Sequence, residues 1–372
     1  MKIQFEREAM SRAFQMVASV VPTRTSKPIL QNVKLEATAD GVTLMATDLE
    51  LGIRSELSEV TIEEQGTVVL PVDRIGAVLR ESSDEQLTLE DDGTRLKVSG
   101  ANSRFQLPSQ DPVEFPDIRP FTEATYYVVP GRAFRELIRR TAFSTDTEST
   151  RFALGGVLLE VTGEQLVGVG TDGRRLAKQE GAVSTVGEMS EETIGLIVPT
   201  RAMKLFERAL TDADEEVHLV GQGNNDVLVR CGRTTIFARL VEGRFPNWRG
   251  VFPSSENTVQ LELPVGPFLS SVRQAAIVTS TDHPGVNFHF ADGAMTIAGH
   301  GAERGESNIN LPIAYEGEEI VIRLSPKYLI EFLSVLDPEK TVTLQLKDGS
   351  TALVCKTDDG YQYVIMPLAQ AG

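Results

Sequence analysis

The chain has 372 residues, with 53 acidic side chains against 36 basic ones and a net charge of −17, a balance that repels nucleic acid from most of its surface. Aromatic residues make up only 6%, too few for a surface built on base stacking, while 41% apolar content suffices for large cores in two or three domains of ~100–200 residues. The start, MKIQFEREAM, lacks the apolar core of a secretion signal, and no apolar run approaches the ~18–20 residues of a membrane span. Cys231 and Cys355 lie far apart without metal-type spacing, so the expectation is a cytoplasmic protein with two reduced, strand-buried thiols.

In chain order, the first helix is expected at about Arg7–Val20. Leu30–Asp48 (LQNVKLEATADGVTLMATD) reads as an alternating strand pair closed by a tight turn. VVLPVDRIGAVLR from Val68 is a strand running into a helix at about Val72–Arg80, and LTLEDDGTRLKVS from Leu87 is another strand pair. A linker follows near Pro116–Tyr126.

In Val129–Thr141 (VPGRAFRELIRRT), Arg132, Arg135 and Arg139 recur at helical spacing opposite Phe134, Leu137 and Ile138. At about 100° per residue the three arginines share roughly 60° of arc. Leu154–Asp172 (LGGVLLEVTGEQLVGVGTD) then repeats Leu30–Asp48 at a constant offset, with Leu30/Leu154, Val33/Val157, Leu35/Leu159, Glu36/Glu160, Thr47/Thr171 and Asp48/Asp172 coinciding. LIVPTRAMKLFER from Leu196 repeats the strand–helix unit. Pro199 suits the start of the helix, Arg201, Lys204 and Arg208 form one face, and Met203, Phe206 and Leu210 form the other. The strand pair VHLVGQGNNDVLVRC from Val217 and a linker near Phe252–Thr258 complete this unit. The third unit carries helices at about Pro267–Ile277 and Pro326–Leu336, with GVNFHFADGAMTIAGH from Gly285 and VTLQLKDGSTALVC from Val342 as strand pairs.

The repeat length of about 125 residues is that of a whole domain rather than a solenoid unit. The fold class is therefore α+β, with three similar domains at 1–121, 122–254 and 255–372, each with two helices packed on antiparallel sheet. Three such domains in line expose sheet edges at both ends, and closing the array on itself removes them.

Little supports catalysis. His218, His283, His289 and His300 share no metal spacing, and His289, between Phe288 and Phe290, reads as structural. Gly168–Gly173 (GVGTDG) matches a dinucleotide fingerprint, but no crossover helix fits before Gly181, so its glycines are expected to serve a turn. The acidic clusters Asp212–Glu216 and Asp358–Asp359 are expected in solvated turns. No catalytic residue, cofactor or metal is expected. For any one basic helix a solvated charged face is the ordinary reading; two of identical geometry in an acidic chain weaken that reading and leave open what the faces look at.

The threefold repeat, TDGRRLA at Thr171–Ala177, EGRFPNWRGVFP at Glu242–Pro253, the terminal YVIMPL at Tyr363–Leu368, RTSKPILQN from Arg24 and VLPVDRIGAVLR together resemble the bacterial sliding-clamp family, the beta subunits of replicative DNA polymerase III. The resemblance covers the full length. It implies a ring of two head-to-tail chains, helices lining the hole and sheet outside. The ring encircles duplex DNA, confers processivity on the polymerase without catalysing anything, and tethers the polymerase catalytic subunit, the clamp loader and other proteins by short peptides. The alternative is a peptide-binding repeat scaffold that never encloses nucleic acid.

By position, the resemblance assigns DNA contacts to Arg7, Arg12, Arg24, Arg74, Arg132, Arg135, Arg139, Arg151, Arg201 and Lys204; beside Arg151, Phe152 and Ala153 replace paired tyrosines found in some members. It assigns a hydrophobic peptide groove to Leu154, Thr171, Gly173, Arg174, Arg175, Leu176, Pro246, Val251, Val364, Met366, Pro367 and Leu368. Read from the residues alone, these are core residues at a domain junction. Arg174 stands where a histidine is common and Gly250 where a larger basic residue can sit, and the tail continues as Ala369–Gly372. The ring joint falls on Arg104, Phe105 and Leu107 on one side and Ile277, Val278, Glu303 and Glu306 on the other; without the resemblance, Phe105 and Leu107 read as the inward face of a strand.

Overall fold

The computed structural model describes residues 1–148, 152–188, 193–212, 214–222, 225–254, 256–280, 284–301 and 304–369. Backbone packing groups the chain into two compact units, Met1–Arg132 with Ser184–Ser190 and Lys204–Leu240, and Ala133–Val183 with Glu191–Met203 and Val241–Gly372. Among the described residues, six α-helices follow the 3.6-residue periodicity: α1 (Arg7–Ala18), α2 (Val72–Glu81), α3 (Gly131–Thr141), α4 (Thr200–Ala209), α5 (Val265–Ala275, two residues ahead of the expected span) and α6 (Pro326–Leu333). The first and last are shorter than their sequence patterns. Ser19 Oγ donates to the Met16 carbonyl (2.6 Å) and Ser334 Oγ to the Ile330 carbonyl (2.6 Å), and each hydroxyl sits where its helix stops.

In the first unit, one sheet runs in the order Val60–Glu64, Lys2–Glu6, Gln86–Asp91, Arg95–Ser99, Arg104–Pro108. A nine-stranded sheet contains the strands Asn32–Thr38, Gly41–Thr47 and Leu51–Leu57 of the first repeat. It continues through Leu51–Leu57 onto Thr234–Arg239 of the second, with Ile53 opposite Ile236. In the second unit, an eight-stranded sheet makes the same kind of crossing, from Arg175–Ala182 to the terminal strand Gln362–Ile365. A four-stranded sheet there runs Gly305–Pro312, Ala294–Gly301, Val286–Ala291, Ile320–Leu324. All these pairings are antiparallel, and alternate residues face inward. Ile3, Phe14 and Leu35 are buried in the first unit, and Phe268, Phe288, Phe332 and Tyr363 in the second.

The repeated Thr-Asp pair turns the chain at the end of a strand. Thr47 Oγ1 donates to the Leu51 carbonyl (2.7 Å) and accepts from the Leu49 N–H (2.9 Å), while Asp48 Oδ1 accepts from the N–H groups of Glu50 and Leu51. Thr171 and Asp172 make the same set with Arg175, Gly173 and Arg174. The turn needs a left-handed residue, Gly173 (φ 84°) in one repeat and Leu49 (φ 81°) in the other.

Gly168 and Gly170 depart from the expectation of a turn: both lie inside the strand Gln165–Thr171. A Cβ at Gly168 would fall 2.5 Å from Leu137, and one at Gly170 would fall 2.3 Å from the Thr141 carbonyl oxygen. These glycines let α3 lie close on the strand, which the local sequence pattern does not reveal. Asp359 lies exposed in a turn, as expected, and also makes an ion pair. Its carboxylate reaches the buried Arg140 guanidinium (2.9 Å); burial pushes its pKa up, but bonds from Thr357 and Arg140 outweigh that and hold it below the usual range. Arg140 also bonds Gln179 (2.8 Å), and its carbonyl accepts from Tyr361 (2.8 Å).

Both cysteines are free and buried, and burial pushes the Cys231 thiol up to about 12 and the Cys355 thiol higher still. Gly170→Ala is expected to destabilise the protein by about 1–3 kcal/mol or more through overpacking against α3. Gly181→Ala, where a Cβ meets nothing within 4 Å, is expected to change little. Thermal unfolding of the two variants checks this.

Candidate functional site

The turn Thr171–Arg175, the linker around Pro246–Val251 and the terminal strand Gln362–Ile365 enclose a cleft of about 560 Å3. Leu154, Thr171, Gly173, Arg174, Arg175, Leu176, Pro246, Val251, Val364 and Met366 line it, ten of the groove residues inferred from sequence. Pro367 and Leu368 are not in this lining; the Leu368 N–H donates to the Arg323 carbonyl (2.8 Å), which carries the chain past the cleft. Ala153, Arg244 and Gly250 join the lining and were not among the inferred groove residues. Arg244 sits in the linker, where strand and helix periodicity give no signal.

The floor is apolar. Leu176 and Val364 are buried and paired across neighbouring strands, while Val251 and Met366 are 38% and 45% exposed at the rim. Behind the floor lies a cluster that includes Leu158, Val169, Ile197, Trp248 and Val354. Trp248 Nε1 donates to Glu160 (3.2 Å), and the Arg249 guanidinium stacks on the indole at 4.2 Å while bonding the same carboxylate (2.9 Å). That fixes the linker from which Gly250 and Val251 project.

The adjacent arginines of the TDGRR turn do different work. Arg175 is buried and bonds Asp172 (3.0 Å), Glu331 and the Phe143 carbonyl (2.8 Å), with Tyr328 4.4 Å beneath its guanidinium. Burial opposes its charge, but Tyr363 and Glu331 outweigh burial and raise its pKa. Arg175 is thus a fastener between sheet and α6. Arg174, one residue earlier on an alternating backbone, is exposed.

The first repeat has the same junction in another state. The Arg239 N–H donates to the Glu50 carbonyl (2.9 Å), as the Met366 N–H donates to the Arg174 carbonyl (2.9 Å). There, Gly52 faces Phe237 where Leu176 faces Val364, and Arg239 lies 3.3 Å from the Glu50 carboxylate.

On the helices, the buried faces are Phe134, Leu137 and Ile138 of α3 and Met203 and Phe206 of α4. Arg132, Arg139, Arg201 and Lys204 are exposed and Arg135 is half-buried. Arg12, Arg24 and Arg74 are exposed as well. Arg7 is committed to packing, donating to the Leu79 carbonyl (3.1 Å) and to Glu8 (3.3 Å), which ties α1 to α2. Arg151 and Glu303 lie outside the described residues. The sequence reading named no cation in the third repeat, where Arg273 and Lys327 are exposed on α5 and α6.

Arg104, Phe105 and Leu107 lie on Arg104–Pro108, at the end of its sheet. Glu306 lies on Gly305–Pro312, also at a sheet end, 3.3 Å from His300. Ile277, 73% exposed, and the half-buried Val278 form a short 3-10 turn after α5. Among the described residues no group of three or more His, Cys, Asp or Glu side chains is placed to hold a metal, and no helix is long and apolar enough to cross a membrane.

Tandem copies of one α+β domain, a cleft with an apolar floor at a repeat junction, and basic helix faces on an acidic chain define a binding protein built from repeats. Family models of the DNA polymerase III beta subunit match its N-terminal domain at residues 1–119, its central domain at 128–247 and its C-terminal domain at 249–369. The chain belongs to that family: it is a sliding clamp of DNA replication, a non-catalytic processivity factor. Membership implies DNA and polymerase partners and assembly into a ring. The beta sliding clamp of Vibrio cholerae is 28% identical over 374 residues, covering 99% of this chain and 100% of that one. That of Chlamydia pneumoniae is 26% identical over 99% of both. A crystal structure of the DNA polymerase III subunit beta from Pseudomonas aeruginosa superposes with a TM-score of 0.90 at 26% identity, with full coverage of both chains. One of the clamp from the same organism bound to griselimycin gives 0.92 at 26%, again with full coverage of both.

Arg175→Ala is expected to destabilise the chain by about 3–5 kcal/mol, because it leaves Asp172 and Glu331 without their buried cation. Arg174→Ala is expected to stay within about 0.5 kcal/mol. Denaturant unfolding of both variants measures the contrast.

Proposed function

We propose that two copies of this chain close head to tail around duplex DNA, and that the cleft between Thr171 and Met366 tethers the replicative polymerase, the clamp loader and other partners by short linear peptides. The observation that carries this reading is the pair of strands that the two junctions within the chain leave at sheet ends. Leu51–Leu57 and Arg175–Ala182 each end a three-strand run, and each pairs with the strand that ends another such run. The corresponding strands left over are Gly305–Pro312 and Arg104–Pro108, each at the end of its sheet. Their pairing between copies is head to tail by construction and leaves the joint to Arg104, Phe105, Leu107, Ile277, Val278, Glu303 and Glu306.

The DNA-facing residues under this reading are Arg12, Arg24, Arg74, Arg132, Arg135, Arg139, Arg151, Arg201 and Lys204, with Arg7 acting through the packing of α1. Cations aimed at phosphates without base contacts give attraction that is independent of sequence and sensitive to salt, the condition for sliding. The acidic excess elsewhere is screened over a Debye length of ~10 Å. In the cleft, each buried apolar anchor of a peptide contributes roughly 1.5–3 kcal/mol before ordering costs. A few anchors give affinities of order micromolar, weak enough for partners to exchange. The repeat domains fall at 1–121, 122–254 and 255–372, and the protein works in the cytoplasm.

Once loaded, the protein is expected to stay on nicked circular DNA and to be lost when that DNA is linearised, as gel filtration at moderate salt reads directly. Equal retention on both forms contradicts the reading. Reversing Arg135, Arg139, Arg201 and Lys204 to Glu is expected to lower loading by more than about tenfold.

A further inference from the structure

The strand Arg104–Pro108 has a neighbour on one side only, Arg95–Ser99, and the chain reaches it through the turn Gly100–Ser103. One backbone bond closes that turn, from the Gly100 N–H to the Ser103 carbonyl (2.9 Å). An edge strand offered to another copy binds best when its register is already fixed, because ordering it on contact costs affinity.

Asp84 holds the turn from outside. It lies in the chain between α2 and the strand Gln86–Asp91, and its side chain is buried. Its Oδ2 accepts from Ser103 Oγ (2.6 Å), and its Oδ1 accepts from the Asn102 N–H (3.3 Å) and side-chain amide (3.4 Å). Among the described residues no cation pairs with it. The bond from Ser103, ahead of those from Asn102, holds its carboxyl below the usual range although burial pushes it up. Gly100 admits the carboxylate: a Cβ there would fall 2.2 Å from Asp84 Oδ2. Asp84 is in turn mounted on the helices. Its N–H donates to Ser82 Oγ (3.3 Å), the Ser82 N–H donates to the Val78 carbonyl (3.0 Å), and the Arg7 N–H donates to the Glu85 carbonyl (2.8 Å).

The second repeat shows what such an arrangement accompanies. There Glu215 directly precedes the strand Glu216–Gln222, and its carboxylate lies over Gly232, where a Cβ would fall 2.8 Å from Oε1. Gly232 is in the turn leading into Thr234–Arg239, the strand that pairs with Leu51–Leu57 of the first repeat. An acid seated on a turn glycine thus stands behind a strand that does join another repeat.

We propose that Asp84 is a positioning residue for ring closure, fixing Gly100–Ser103 so that Arg104–Pro108 meets the partner copy in one register. The proposal rests on the head-to-tail reading above and adds to it a residue outside the joint, acting through the turn.

Sedimentation of fluorescently labelled protein at nanomolar concentration gives the dimer dissociation constant, and mixing two differently labelled samples gives the rate of subunit exchange. Asp84→Asn puts an amide donor among the turn's donors and is expected to raise the dissociation constant about tenfold and to speed exchange similarly. Ser103→Ala, at a half-buried turn position, removes one donor and should raise it about three- to fivefold. Gly170→Ala, which disturbs packing in the second unit, should lower the unfolding midpoint and leave the dissociation constant unchanged. A dimer whose dissociation constant stays within about twofold in both turn variants overturns the proposal. Equal weakening of the dimer by Gly170→Ala at the same loss of thermal stability also overturns it, since general destabilisation then suffices. A single-chain particle for the unaltered protein removes the ring reading itself, a result distinct from a dimer indifferent to Asp84.

Discussion

Main-chain hydrogen bonding at sheet edges is the constraint on which the rest of this structure depends. A strand at an edge presents a row of N–H and carbonyl groups that must find water or another strand. Here the last strand of a three-strand run is used twice inside the chain to join one repeat to another, at Ile53–Ile236 and at Leu176–Val364. The same construction leaves Arg104–Pro108 and Gly305–Pro312 at sheet ends. A chain that solves its edge problem twice by pairing like with like has the geometry to solve it a third time with another copy. The alternating exposure of Arg104–Pro108 suits a strand awaiting a neighbour.

Charge is divided by element rather than spread. The helices turn Arg132, Arg139, Arg201 and Lys204 outward because Phe134, Ile138, Met203 and Phe206 are needed in the core, and the helical period then fixes the basic face. The net charge of −17 says nothing of this arrangement. At the junctions a similar economy operates. One backbone scaffold carries Glu50, Arg239 and Phe237 in one place and lines a cleft with an apolar floor in the other, so different side chains act on a duplicated frame.

Much of this was legible in the sequence, and the failures share a physical cause. Helix positions followed from apolar spacing, and the Thr-Asp coincidence marked equivalent turns before their hydrogen bonds were known. Gly168 and Gly170 were misread because a strand glycine's purpose depends on what crosses it, here Leu137 and Thr141 of a helix distant in sequence. Asp359 is exposed in its turn as expected, but its ion pair is not legible because the partner, Arg140, is remote in the chain. Arg174 and Arg175 are identical letters side by side; strand alternation separates an exposed cation from a buried fastener, but only once the turn is placed. Arg244 sits on a linker without periodicity, so nothing in the sequence marks it as lining the cleft.

The claim that the strands Arg104–Pro108 and Gly305–Pro312, each at a sheet end, close a ring is tested most directly by the mass of the intact protein in sedimentation equilibrium. Two copies, twice the 40.6 kDa chain, are predicted, with dissociation to single chains when Gln106, whose N–H points away from the neighbouring strand Arg95–Ser99, is replaced by proline. A single-copy particle for the unaltered protein at micromolar concentration, or a dimer indifferent to that substitution, would contradict the account.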